Sequence, residues 1–169
     1  MSSPFEAFRE ALNDAVRDER QSTFRDALEW FGGTRNMADE LGVSQRTVQR
    51  WAAYDAGAEG REARNPERSP HFGDIRAAAD AAREERALER LEEAEAFDTD
   101  EVDVEYEEED EGTRHARSES PLDLSRTLAL YRQAAPPADV GRAFADALGA
   151  SYGLPQGLNI TNIEGLTLH

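Results

Sequence analysis

Four residues within GTRNMADELGVSQRTVQRWAAY, residues 33–54, carry side chains suited to reading nucleic acid: Gln45, Arg46, Gln49 and Arg50. Arginine donates two bonds to O6 and N7 of guanine, and glutamine both donates to and accepts from adenine. Outward Gln and Arg on one helix therefore match the edge pattern of a major groove. Thr34, Ser44 and Thr47 add hydroxyls to the same stretch. Thr47 and Gln45 are also suited to phosphate oxygens, contacts that position a protein without specifying sequence. Nothing in this set calls for enzyme chemistry. The chain has no cysteine, and its 3 histidines (His71, His115, His169) are scattered. A thiol nucleophile and a cysteine zinc site are excluded, and neither a metal nor a cofactor is expected.

The spacing around these residues describes two short helices joined by a tight turn, a helix-turn-helix over residues 34–53. Thr34 is placed to cap the first helix, and Met37, Ala38 and Leu41 share its apolar face. Gly42 ends it with a left-handed backbone, and Ser44 is placed to cap the second helix, which runs from Gln45 to about Ala53. Val48 and Trp51 turn inward with Val43. Ala38 is small where the helices cross. A solvated helical hairpin is the competing reading, but cap, small residue, turn glycine and apolar triad all agree on the motif.

The net charge of −17, taken over the whole chain, opposes a polyanionic partner. Its distribution removes most of the objection, because residues 33–68 carry 6 arginines and 6 acids, whereas residues 69–122 carry 6 and 19. Every basic side chain is arginine. With abundant Ala, Asp and Glu, this composition points to a salt-adapted source. In 1 M salt, repulsion is screened within roughly 3 Å, so an acidic surface elsewhere does not stop a neutral face from docking.

Ahead of the motif, Ser3-Pro4-Phe5-Glu6 has the form of a capping box, and Phe5, Phe8, Leu12 and Val16 give a helical stripe. A second helix is expected from Ser22 or Thr23 to Phe31. Both are read as support for the motif, with Trp30 or Phe31 against Val48 and Trp51. After Tyr54 comes a loop or wing in which Arg61 and Arg64, with Arg68, are placed for phosphate contacts, and a solvated arginine loop explains them as well. Residues 75–97 read as a charged connecting helix. Ile75, Ala79, Ala82, Leu88, Leu91 and Ala94 offer a seam for a second copy, and a solvated helix explains the composition as well.

Val102, Val104 and Tyr106 alternate with acids as a half-buried strand. Residues 107–111 read as a solvated acidic turn; a magnesium site would need convergent carboxylates. Residues 112–121 read as a polar linker. Two helices follow, over residues 122–134 and 139–152, and then a β-branched tail with a bulge or turn at Glu164-Gly165. One or two tail strands are expected to pair with residues 102–106. The fold class expected is mainly α with a small α+β C-terminal part. Its domains are a helix-turn-helix bundle over residues 1–68, a charged connecting helix over 69–97, and an acidic strand, linker and α+β domain over 98–169, with a two-to-three-stranded sheet and two helices. No apolar run approaches the roughly twenty residues needed to span a bilayer, so no membrane partner is expected and the chain is read as cytoplasmic.

In its order of elements from Phe24 onward the chain resembles the terminal proteins of actinomycete linear chromosomes and plasmids, most closely around Thr34–Trp51, which includes LGVSQRTVQRW, and more weakly at ADALGASYG with the tail after it. The resemblance implies binding at replicon ends, association with a replication protein, and a Ser or Thr hydroxyl joined to a DNA 5′ phosphate, a position matched here by Thr113. The functional expectation is double-stranded DNA binding in replication or end maintenance of a plasmid, virus or linear replicon. A homodimeric transcriptional regulator and an acidic protein-protein adaptor are the alternatives.

Overall fold

Ser3 and Glu6 start the first helix as a reciprocal cap. The Ser3 amide donates to Glu6 Oε2 at 2.9 Å and the Glu6 amide donates to Ser3 Oγ at 3.3 Å. The chain is mainly helical. In order it forms α1 (Pro4–Asp18), α2 (Thr23–Phe31), α3 (Thr34–Leu41), α4 (Gln45–Asp55), 3₁₀ turns at Gly60–Glu62 and Pro66–Arg68, α5 (Phe72–Glu93), β1 (Val102–Glu107), β2 (Gly112–Ala116), α6 (Ser125–Arg132), α7 (Pro137–Ser151) and β3 (Asn159–Glu164). The structure, a computed structural model, describes residues 2–94, 102–107, 112–116, 120–154, 159–164 and 166, with backbone alone for 102–107 and 112–116.

The chain divides into two units, residues 16–87 and residues 1–15 with 88–169. These bounds differ from the divisions expected after residues 68 and 97, because α1 and α5 are each shared between units. In the helix-turn-helix unit, Phe24, Ala27, Met37, Ala38, Leu41, Val48, Trp51, Ile75, Ala78 and Ala79 form one buried cluster. Residues 75–79 thus belong to the motif's own core instead of forming a solvated connector. The alanines are small enough to let α5 approach closely. Ala82, Leu88 and Leu91 are buried as well, so the seam offered to a second copy is covered within the chain. Phe31, not Trp30, packs on the cluster, and Trp30 is 52% exposed.

The same unit contains a buried ionic knot. Asp26 is inaccessible to solvent, and its carboxylate accepts from Arg83 Nε at 2.6 Å, from an Arg86 terminal nitrogen at 2.5 Å and from the Gln21 amide at 3.2 Å. Burial alone would raise the Asp26 pKa, but the hydrogen bonds from Arg86 and Arg83 and their positive charges outweigh it and hold the carboxyl below its ordinary value.

In the other unit, α1 is packed through its aromatic stripe. Phe8 meets the Tyr131 ring edge-on at 5.4 Å and the Phe144 ring at 5.6 Å. Gly141 on α7 lets the chain pass close: a Cβ there would lie 3.1 Å from the Phe5 backbone nitrogen. The sheet order is β2-β1-β3, antiparallel throughout, with Val104 opposite both Arg114 and Ile163. Residues 112–116 are therefore a strand and not part of a polar linker; an edge strand is held by its backbone to one neighbour and tolerates polar residues. A register shift falls between Glu105 and Tyr106 on β1. The bulge or turn expected at Glu164-Gly165 involves Gly165, outside the described residues, as are residues 108–111 of the acidic turn. Ser2 bonds both ways with Ile163, at 3.0 and 2.7 Å.

Candidate nucleic-acid interface

The turn between α3 and α4 is built by three residues. Gly42 sits at φ 66° and ends α3, donating its amide to the Ala38 and Asp39 carbonyls. Val43 donates to the Ala38 carbonyl at 3.0 Å and packs its side chain on the core. Ser44, extended at ψ 148°, caps α4 by accepting from the Thr47 amide at 3.1 Å. This is the local geometry the sequence predicts, and α4 runs two residues past Ala53, to Asp55.

Thr34 does not cap α3. It is the first residue of that helix, and the cap position belongs to Gly33 at φ 115°, which offers no side chain to the free amides. The Thr34 hydroxyl instead accepts from Gln45 Nε2 at 3.5 Å, joining the starts of the two helices. Thr47 is half-buried, and its hydroxyl lies 2.9 Å from that of Ser44. Its first role is in the cap.

With about 3.6 residues per turn, α4 separates its side chains into a buried and an open side. Val48 and Trp51 are buried, while Gln45, Arg46 and Gln49 are exposed. Arg46 and Gln49 lie at the middle of the open side, Gln45 on the flank toward Thr34, and Arg50 on the opposite flank. Arg50 is half-buried, in contrast to the free outward arginine expected. Its guanidinium donates to the Arg61 carbonyl at 2.7 Å, and its own carbonyl accepts from the Arg64 amide at 3.0 Å. These two bonds hold the loop against α4. Arg61 and Arg64 are exposed on it.

The open face is therefore bracketed, by the start of α3 on one side and by an arginine-bearing loop on the other. The arrangement presents exposed Gln and Arg side chains in the middle with hydroxyl and guanidinium donors at the edges, and a major groove is likewise bounded by two phosphate strands. Sequence reasoning missed Arg35, exposed beside Thr34. Its position in the first turn of α3, one residue after a chosen hydroxyl, was the available signal. Tyr54, 45% exposed near the end of α4, was likewise unassigned.

Thr113 lies in β2 opposite Glu105 of β1, in the unit that does not hold the motif. Among the described residues no group of three or more His, Cys, Asp or Glu side chains is placed to hold a metal, and no helix is long and apolar enough to cross a membrane. No protein-family model matches the chain, and neither does any curated protein or solved structure.

Proposed function

We propose that the protein binds double-stranded DNA, with α4 in the major groove and Arg46 and Gln49 reading base edges. The observation that carries this reading is the uncovered face of Gln45, Arg46 and Gln49 between the Thr34 end of α3 and the loop bearing Arg61 and Arg64. A solvated helix face needs no such bracketing. Arg46 suits guanine and Gln49 adenine, each as a bidentate partner. Residues 69–122 carry 19 of the 36 acids, and in concentrated salt their repulsion of DNA is screened within a few ångströms.

The cellular role follows from the resemblance to terminal proteins: maintenance of replicon ends, with Thr113 as the hydroxyl for covalent linkage to a 5′ phosphate. A homodimer would require a face other than the α5 seam. Selection of bound duplexes from a random-sequence pool tests the DNA reading. Enriched sequences should lose their enrichment when Arg46→Ala and Gln49→Ala are combined, and an unchanged enrichment would remove α4 from the interface. Footprinting across the genome tests the role, since occupancy at promoters in place of replicon termini would reassign the protein to transcriptional regulation.

A further inference from the structure

Arg50 has the residue type of a base reader, yet the structure gives it different work. Its guanidinium donates to a main-chain carbonyl of the following loop and its own carbonyl receives an amide from that loop, so one residue ties α4 to residues 61 and 64 through both side chain and backbone. The loop is otherwise shaped by its own bonds. Gly57 and Gly60 take positive φ, at 89° and 83°, the Ala63 amide donates to the Gly60 carbonyl at 3.3 Å, Asn65 Oδ1 accepts from the Glu67 amide at 2.9 Å, and Pro66 is buried. A loop so constrained fixes where its side chains leave the backbone. Arg61 and Arg64 are exposed on it, and neither forms an ion pair among the described residues.

We propose that Arg50 is a positioning residue that makes residues 60–64 a second DNA-contacting element, whose Arg61 and Arg64 grip the phosphates beside the groove that α4 enters. This rests on the reading of α4 as a DNA-binding helix. The acceptor on Arg61 is a neutral carbonyl, so the Arg50 bond leaves the local positive charge undiminished. A carboxylate in its place would have cancelled it. Phosphate contacts of this kind add affinity uniformly across sequences and make it salt-dependent.

The test is a salt titration of binding to a duplex enriched from the random pool, using the full chain. Arg61→Ala and Arg64→Ala should each lower the slope of log affinity against log salt by about 0.9, and the pair by about twice that, with base preference unchanged. Arg50→Ala should reproduce the loss of the pair. Added to the Arg61→Ala, Arg64→Ala background it should cost nothing further, because its effect runs through the loop. If Arg50→Ala instead lowers the slope again on that background, Arg50 touches DNA itself and the positioning role fails. An unchanged slope in Arg61→Ala, Arg64→Ala overturns the second contact, and these two exposed positions carry the test even where Arg50→Ala fails to fold. A wild-type chain that enriches no duplex would overturn the reading of α4 instead.

Discussion

Arg83 Nε lies 2.6 Å from a carboxylate oxygen of Asp26, and the two side chains are only 8% and 0% exposed. Fifty-seven residues separate them in sequence. The bond therefore fixes α5 on α2, and Arg86 completes the knot by binding Asp26 and Glu29. Apolar burial alone leaves two helices free to slide, whereas a buried carboxylate with three donors admits one register.

Removing Asp26 takes from Arg83 its buried partner, leaving it the exposed Asp80 at 3.3 Å, and leaves Arg86 with Glu29 and Glu19 alone. Asp26→Ala should destabilise the helix-turn-helix unit by about 3–5 kcal/mol, since breaking a buried pair leaves uncompensated charge. Denaturant melts followed by circular dichroism measure this. The pH dependence follows from the lowered pKa of Asp26. An unfolded aspartate titrates near about 3.9, so the stabilisation is complete above that value and is lost as pH falls through it toward the folded pKa. Asp26→Asn should flatten that acid limb, and an acid transition identical to wild type would show that the knot contributes nothing.

Trp51 separates packing from hydrogen bonding. Its ring is 1% exposed in the motif core, and its indole nitrogen is buried with no hydrogen-bond partner among the described residues. Trp51→Ala should cost about 3–5 kcal/mol through the cavity it leaves. Trp51→Phe gives up part of the ring but also removes the unsatisfied N–H, so its cost should be clearly smaller. Equal costs for the two variants would mean that the indole nitrogen is satisfied in solution.

What was legible in the sequence was local. The Ser3 and Glu6 box, the Ser44 cap, Gly42 in the left-handed region and the inward pair Val48 and Trp51 all depend on neighbours within a turn or two, and residue type encodes them directly. What was not legible was partnership. The stripe of Phe8 and Leu12 announces a helix without saying that Tyr131 and Phe144 will cover it. Asp26 reads as an ordinary surface acid until Arg83 and Arg86 arrive from the far end of the motif's unit. The β2 strand carries Thr113, Arg114 and His115, whose polarity suits a linker as well as an edge. Arg50 resembles its neighbour Arg46 in type, and only the bond to the Arg61 carbonyl separates a holding role from a reading one.

Gly141 tests the unit that contains the sheet. A Cβ at this position would stand 3.1 Å from the Phe5 nitrogen and 3.2 Å from its Cβ, both on or next to backbone that cannot swing aside. Gly141→Ala gains helix propensity, worth about 1 kcal/mol, but must push α1 away from α7, and overpacking costs typically 1–3 kcal/mol. The net outcome should be destabilisation. Gly149→Ala, where nothing lies within 4 Å of the added carbon, is the matched control and should stabilise. Thermal melts of the two variants decide it, and a more stable Gly141→Ala would mean that the approach is looser in solution.

Thr34 and Gln45 permit a sharper test of how the reading face is set. The Gln45 amide nitrogen donates to the Thr34 hydroxyl, which leaves its carbonyl oxygen pointing away as an acceptor. An acceptor so placed favours a base with an exocyclic amine in the major groove, adenine or cytosine. Thr34→Val keeps the shape and removes the hydroxyl. Stability should move by no more than about 0.5 kcal/mol at this partly exposed position. With α4 in a major groove as proposed, discrimination at the base pair facing Gln45 should fall by roughly 0.5–1.5 kcal/mol, the net worth of a single hydrogen bond. A base-by-base substitution scan of the selected duplex measures both the position and the size of the effect. A uniform loss across all positions would mean that Thr34 contacts phosphate directly, and no loss anywhere would mean that the amide of Gln45 is oriented by the DNA.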